Sequence, residues 1–415
     1  PAILSYTRNV FYIENGEVVN IKGNELIIYD KDRNTVKKEV KTVEWDIEAA
    51  SKQGFEHFML KEIYDQPQAI KDTLLRRLDG NRMIHLDDIT ISKEQLESIS
   101  KIYIVACGTA YHAGLVGKYA IEKLAKIPVE VDIASEFRYC DPFIDEGTLL
   151  IVVSQSGETA DTLAAMKLAK KRGARVLAIT NVVGSSVARE ASDVFYTWAG
   201  PEIAVASTKA YTAQMVAFYM IALEFARRKE VISHKRYKEV IDSIEALVPL
   251  VSKILEKKDK IKEASKYIYD AVNVFYLGRG LDYTTAKEAA LKLKEISYIY
   301  TEAFAAGELK HGPIALIEEG TPVLCVVTQS SLEEKMISNI KEVKARGAFV
   351  LAITKQNNKE VAKVADEVIY IPEAEDILMP VLSVIPTQLI AYYASIARGN
   401  DVDKPRNLAK SVTVE

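Results

Sequence analysis

From about residue 101 onward the apolar positions follow two alternating rhythms. Runs rich in apolar residues at 102–106, 129–133, 149–153, 174–180 and 194–196 have the length and β-branched content of strands, and the one at 149–153 is apolar throughout, as in a fully buried strand. Between them, 109–125, 159–172 and 207–229 carry apolar residues at helical spacing. Buried strands alternating with amphipathic helices predict a parallel sheet covered on both faces, a doubly wound, flavodoxin-like α/β unit. A helical stretch at 234–270 separates it from a second unit. Ahead of both, 10–13, 17–21 and 25–29 read as short strands joined by hairpin turns at Asn15-Gly16 and Gly23-Asn24. About 40 residues of meander cannot bury a core alone, so this front piece is expected to be the edge of a larger domain or a packing appendage. A polar connector at 37–52 follows. Residues 55–78 then read as two helices, with Pro67 in the first turn of the second.

The second unit repeats the first. Gly147-Thr148-Leu149 aligns with Gly320-Thr321-Pro322, Gly173 with Gly347, Gln214 with Gln388, and Leu177-Ala178-Ile179-Thr180 with Leu351-Ala352-Ile353-Thr354, all at an offset near ~174 residues. Residues 101–108 are echoed by 272–278 after short indels. The copies differ most after the strand at 149–153. There Ser154-Gln155-Ser156-Gly157-Glu158-Thr159 leads into a helix, which makes an anion site from unpaired N–H groups, the positive end of the helix dipole and three hydroxyls. Ser, Thr and Gly also favour helix starts as ordinary caps, but one cap needs one such residue and this turn has four. Its counterpart, Thr328-Gln329-Ser330-Ser331-Leu332-Glu333, has lost the glycine and gained a charge that repels phosphate. Capping alone would serve both copies equally, so the asymmetry predicts one phosphate site, in the first repeat.

Composition narrows the class. The 415 residues are 48% hydrophobic and 27% charged with net charge -4, an ordinary globular balance without the basic footprint of a nucleic-acid partner. Three scattered cysteines, Cys107, Cys140 and Cys325, point to a reducing compartment rather than a disulfide framework. None of the five histidines has metal-ligand spacing. No uninterrupted apolar run approaches the ~20 residues of a membrane span, and no signal-peptide pattern opens the chain. The expected location is the cytoplasm.

Further candidates lie at strand ends and turns. Cys107-Gly108-Thr109 ends the first α/β strand, on the edge where doubly wound sheets bind ligands. The thiol is either catalytic or small buried filler, and no neighbouring His or Arg motif activates it. Gly278-Arg279-Gly280 is half of a dinucleotide fingerprint without its third glycine. Ser207 opens the long helix as its cap or faces the phosphate turn. Glu288, Lys292 and Glu295 share one helix face, either as a solvated ion-pair ladder or, if the helix is buried, as a carboxylate–lysine set suited to proton transfer. His311 stands in a loop bracketed by Gly307, Gly312 and Pro313, a structural histidine or an acid/base group. The tail 400–415 is polar enough to fray; the alternative is a lid that carries Arg406 and Lys410 to the sheet edge, where lysine can form an imine.

Taken together, the stretches 107–109, 154–162, 205–210, 291–298, 307–313 and 404–415 resemble the isomerase half of the glutamine–fructose-6-phosphate aminotransferase family, over nearly all of residues 50–415. The resemblance implies two tandem sugar-isomerase (SIS) domains, spanning 46–235 and 236–399 with their leading helices, an active-site tail at 400–415, and a glutaminase-domain remnant at 1–45. It implies that Ser154, Gln155, Ser156 and Thr159 hold a sugar phosphate, and that Cys107, Gly108, Thr109, Val205, Ser207 and Ala409 line the pocket. Lys410 would form a Schiff base with open-chain fructose 6-phosphate, Glu295 would move the proton between C1 and C2 with Lys292 nearby, and His311 of a neighbouring subunit would assist ring opening. The implied partners are a hexose 6-phosphate, ammonia, glutamine through the missing domain, and a second copy in a homodimer; no metal or organic cofactor is implied. The expected product is glucosamine 6-phosphate. Two departures stand out. Ala110 replaces a frequent serine, and no cysteine precedes Cys107, so this polypeptide is expected to be a piece of a longer enzyme that does not hydrolyse glutamine by itself. Other readings of the same pocket are a phosphosugar isomerase or deaminase, and a non-catalytic sugar-phosphate-sensing module.

Overall fold

The computed structural model describes residues 6–14, 16–23, 25–42, 51–86 and 88–414. The expected turn residues Asn15 and Asn24, residues 43–50 of the connector including Trp45, and Glu415 at the end of the tail lie outside them. The chain forms two compact units, Pro1–Gly54 and Phe55–Glu415.

Among the described residues, the regular elements of the first unit are all strands. Strands β1 (Asn9–Val10) and β5 (Lys41–Thr42) pair antiparallel, while β2 (Val18–Lys22), β3 (Glu25–Tyr29) and β4 (Thr35–Val36) form a three-stranded antiparallel sheet. Lys22 pairs with Glu25, so β2 and β3 form an antiparallel hairpin as the sequence implies. Lys38 bonds Glu14 and Glu17 across this unit.

The second unit opens with the two expected helices, α1 (Phe58–Tyr64) and α2 (Gln66–Leu75), the latter with Pro67 in its first turn. A short helix α3 (Lys93–Ser98) follows, closed by a capping box between Ser92 and Gln95. The first α/β repeat is β6 (Lys101–Ala106), α4 (Gly108–Leu124), β7 (Val129–Ile133), α5 (Ala134–Phe137), β8 (Thr148–Ser154), α6 (Ala160–Lys171), β9 (Arg175–Thr180), α7 (Ser186–Glu190), β10 (Asp193–Tyr196) and α8 (Lys209–Arg228). Helices α9 (His234–Leu255) and α10 (Lys258–Ser265) lead to the second: β11 (Asn273–Gly278), α11 (Leu281–Ser297), β12 (Tyr300–Ala305), β13 (Pro322–Val327), α12 (Glu333–Lys344), β14 (Phe349–Lys355), β15 (Glu367–Ile371) and α13 (Met379–Ala397).

The sheet orders are β7-β6-β8-β9-β10 and β12-β11-β13-β14-β15, all parallel, so each repeat places its second strand outside its first. That order leaves a crevice where chain direction across the sheet reverses, between β6 and β8 in one repeat and between β11 and β13 in the other. Both sheets are covered on two faces. One continuous apolar core runs from β6, β8, α4 and α8 through α9 to α11 and α13, and smaller clusters back the outer faces. Helices α8 and α13 are buried on almost every side. The segment Asp376–Ala397 is long and apolar enough to cross a membrane, but 94% of its most apolar window is buried inside the protein, which makes it a core helix. It escapes notice in a search for uninterrupted apolar runs because Ser383, Thr387 and Gln388 punctuate it.

Candidate active site

The turn after β8 is shaped by one glycine. Gly157 has φ +69°, and a Cβ there would lie 2.0 Å from Ser185 Oγ and 2.4 Å from Ser185 Cβ. Only glycine allows the chain to turn this tightly. The hydroxyls are bound to one another and to the turn: Ser154 Oγ accepts from the Gly157 N–H at 3.0 Å and lies 2.9 Å from Thr159 Oγ1, and Ser156 Oγ accepts from the Glu158 N–H at 3.2 Å. Thr159 is the N-cap residue of α6 yet makes no side-chain cap bond. The Thr159 hydroxyl is thus not the cap of α6, and Ser154 and Ser156 bond N–H groups of the turn ahead of the helix. Gln155 continues the turn through its carbonyl, which accepts the Asn181 N–H.

The tail does not fray. Val205 N–H donates to the Asp403 carbonyl, the Ala160 N–H at the start of α6 donates to the Val412 carbonyl, and Ser411 Oγ lies 2.8 Å from Ser156 Oγ. Between these anchors Lys410 Nζ meets Glu202 Oε2 at 2.6 Å and Ser207 Oγ at 3.4 Å. Lys410 thus reaches the sheet edge as the lid reading expects. Arg406 does not: its guanidinium sits 4.1 Å above the Tyr298 ring. Ser207 does not open α8 either. The helix starts at Lys209 after Thr208, and the cap is supplied by Glu202 Oε1, which accepts the Thr208 and Ala210 N–H groups at 2.9 and 3.0 Å. This leaves the Ser207 hydroxyl facing Lys410.

The face of α11 is buried. Lys292, 1% exposed, lies 2.9 Å from Glu295 Oε2 and 3.4 Å from Glu288 Oε1, and donates to Thr109 Oγ1 of α4 at 3.3 Å. Thr109 in turn donates to Glu288 at 3.0 Å, and His112 Nδ1 meets Glu288 Oε2 at 2.7 Å. Burial alone would lower the Lys292 pKa, but Glu295 and then Glu288 outweigh it and hold the ammonium above its usual range. Lys292 is therefore a fixed charge that holds Glu295, which keeps partial access to solvent at 22%. Because α4 belongs to the first repeat and α11 to the second, this cluster joins the two. The solvated-ladder alternative fails because Glu288 and Lys292 have almost no exposed surface.

The hydroxyl-rich turn after β8, the tail lysine and the buried carboxylate–lysine face are carried by a repeated α/β unit and its tail. The family model of the SIS domain matches residues 95–224 and 267–398. The chain is 58% identical over all 415 residues to the glutamine–fructose-6-phosphate aminotransferases (isomerizing) of Caldanaerobacter subterraneus and of Clostridium acetobutylicum, and spans 68% of the length of each. The chain belongs to the glutamine–fructose-6-phosphate aminotransferase family. Among solved structures, the C-terminal domain of the Francisella tularensis glucosamine-fructose-6-phosphate aminotransferase is 42% identical with a TM-score of 0.81, covering 85% of this chain and 100% of its own. A glucosamine-6-phosphate deaminase from Thermotoga maritima, 26% identical with a TM-score of 0.67, covers 86% of this chain and 99% of its own.

Within this aminotransferase fold the remaining candidates divide. Cys107 precedes α4, and burial, partly offset by Thr162 at 4.0 Å, pushes its thiol above the usual range. A raised thiol pKa disfavours the thiolate that nucleophilic attack needs. Gly108 follows with φ +53°. Ala409 is exposed beside Lys410. His311 ends a 3-10 turn after β12, is exposed, and among the described residues shares none of the contacts that join the others. In Gly278-Arg279-Gly280 a Cβ on Gly278 would lie 2.4 Å from the Asp282 backbone, so this glycine serves close strand–helix packing, and Arg279 bonds Asn339.

The second repeat shows what became of its anion turn. Asp282 Oδ2 accepts the Thr328 and Gln329 N–H groups at 2.7 and 3.1 Å, and Asp282 also takes the Thr328 hydroxyl. Asp376 takes the Ser330 N–H and hydroxyl and pairs with Lys355 at 2.5 Å. In this repeat the chain's own carboxylates take the N–H and hydroxyl donors of the turn. Sequence reasoning missed Glu202, Glu62, Ser411, Asp282 and Asp376. The available signal was a charged residue between Met59 and Ile63 on the apolar face of α1, and Asp282 at the buried start of α11.

Proposed function

We propose that this chain is the sugar-isomerising part of a glutamine–fructose-6-phosphate aminotransferase and converts fructose 6-phosphate and ammonia to glucosamine 6-phosphate. The carrying observation is the tail: one segment touches the phosphate turn through Ser411 and Val412 and carries Lys410 to Ser207 and Glu202. The 6-phosphate takes the hydroxyls of Ser154, Ser156 and Thr159 and the N–H groups of their turn, with Gln155, Cys107, Gly108, Val205 and Ala409 around the sugar. Lys410 as free amine adds to the C2 carbonyl of the open chain and loses water to form an imine. Ammonia adds at C2 and Lys410 leaves, which puts the nitrogen on the sugar. Glu295, held by Lys292, takes a proton from C1 and returns it at C2, so that C1 becomes an aldehyde and C2 carries the amine. His311 is assigned to ring opening in a site completed by a second copy of the chain, since its exposure frees it to act outside its own subunit. Ammonia derives from glutamine only where a glutaminase domain is attached.

Borohydride reduction in the presence of fructose 6-phosphate, followed by mass mapping, tests this reading. A reduced hexose 6-phosphate adduct on Lys410 is expected. Its absence refutes the imine and favours a plain phosphosugar isomerase.

A further inference from the structure

Lys410 meets its substrate's carbonyl only as a neutral amine, yet it rests against the carboxylate Glu202. What governs that pair lies one helix away. Glu62, on the buried face of α1 and 1% exposed, accepts the Ile203 and Ala204 N–H groups on Oε1 at 2.5 and 3.2 Å. Its second oxygen, Oε2, is buried without a hydrogen-bond partner. The turn that Glu62 clamps is the one that carries Glu202 onto Lys410. The charged groups around Glu62 are Glu202 from that turn, Lys410 from the tail and Lys209 from α8. Asp65 binds Lys209 at 2.9 Å and Lys61 at 2.7 Å, so those two ammonium groups already have a carboxylate.

We propose that Glu62 is a positioning residue for Lys410: as an uncharged acid it fixes the 202–204 turn and leaves Glu202 as the lysine's counter-charge, and on losing its proton it locks Lys410 as the unreactive ammonium. This rests on the reading of Lys410 as the imine-forming residue. The geometry favours the acid form, because a buried carboxylate oxygen without a donor is costly when charged and much less so when neutral. Burial first, then the charge of Glu202, push the Glu62 carboxyl up to about 8, with Lys410 and Lys209 offsetting only part of this. Glu202 moves the other way. Its burial would raise it, but Lys410 and two N–H donors hold it below the usual carboxylate range. Two neighbouring carboxyls driven apart in this way take different duties, one a permanent counter-charge and one a titrating neighbour. Ionisation of Glu62 near pH 8 places a second negative charge beside the cluster, and the lysine amine becomes harder to free.

The test is the rate of borohydride trapping of fructose 6-phosphate at Lys410 between about pH 6.5 and 9.5, in the 415-residue chain and in Glu62→Gln, whose amide oxygen still accepts the two N–H groups. The unaltered chain is expected to level off above about pH 8, while E62Q keeps rising and exceeds it about tenfold near pH 9, the equivalent of one pKa unit. Superimposable profiles overturn the inference and leave the imine standing. No adduct at any pH overturns the imine itself, and the inference with it. Should E62Q misfold, infrared difference spectra of the unaltered chain decide: the carbonyl stretch of a protonated carboxylic acid must persist at pH 7 and be nearly lost by about pH 9.5. A carboxylate spectrum throughout overturns the inference.

Discussion

Gly157→Ala gives the sharpest test of the phosphate turn, because its cost divides into parts that can be separated. At φ +69° an alanine pays roughly 1–2 kcal/mol relative to glycine for the left-handed backbone. The added methyl would also lie 2.0 Å from Ser185 Oγ, 2.4 Å from Ser185 Cβ and 3.0 Å from Thr180 Oγ1. Rotating the Ser185 hydroxyl away still leaves the Cβ contact, so backbone must move by about 1 Å, an overpacking cost of roughly 1–3 kcal/mol. The total is about 2–5 kcal/mol. At a turn proposed to hold the sugar phosphate, a displacement of that size weakens positioning by about 100-fold. Urea unfolding and the KM for fructose 6-phosphate measure both effects. Ser185→Gly removes both colliding atoms, so the double variant should recover the steric part, relative to Ser185→Gly alone, and retain the backbone part. An unchanged unfolding midpoint and KM in Gly157→Ala would refute the steric argument, and so would a double variant no better than the single one.

Three further outcomes follow from the same geometry. Glu295→Gln keeps a hydrogen-bonding neighbour for Lys292, so sugar binding should persist while turnover falls about 10²–10⁴-fold; full activity in coupled product assays would remove Glu295 from the proton transfer. Ser411→Ala loses the bond that ties the tail to Ser156, about 0.5–1.5 kcal/mol, and should raise KM for the sugar roughly 2–10-fold with little change in unfolding midpoint. Asp282→Asn should change the pH dependence of stability in a defined window. Burial, opposed by the Thr328 and Gln329 donors, pushes Asp282 up to about 6 from 3.8, so between these values the folded state binds more protons than the unfolded state. Stability contributed by this group is complete below the unfolded value and is lost as pH rises to about 6, a slope worth about 3 kcal/mol in all. The asparagine variant should lack that slope in denaturant titrations run from pH 3.5 to 6.5.

Most of the architecture can be read from the chain because it depends on local periodicity. The strands β6, β7, β8, β9 and β10 fall within a residue or two of the apolar runs that announce them. The repeat offset carries directly into two sheets of identical order. Element ends are less legible. The start of α8 moves from Ser207 to Lys209 because its cap is the side chain of Glu202, several residues upstream, rather than the hydroxyl at hand. The helix α3 carries its capping box openly in Ser92 and Gln95, but six residues make too short a pattern for periodicity to mark.

The chain by itself decides that there are two doubly wound repeats, that one anion turn is intact and the other altered, and that a lysine stands near the end of a polar tail. These follow from residue type and spacing, which need no knowledge of what lies far along the chain. Folding alone decides which charges meet. Glu62 reaches the 202–204 turn, Thr109 reaches Lys292, and Ser411 reaches Ser156 across separations of more than 140 residues. The altered turn of the second repeat likewise proves to be filled by Asp282 and Asp376. Burial then sets their chemistry, since the same carboxyl is an ordinary acid in water, a counter-charge held below its usual range beside an ammonium and two N–H donors, and a group pushed up where burial leaves one of its oxygens without a donor.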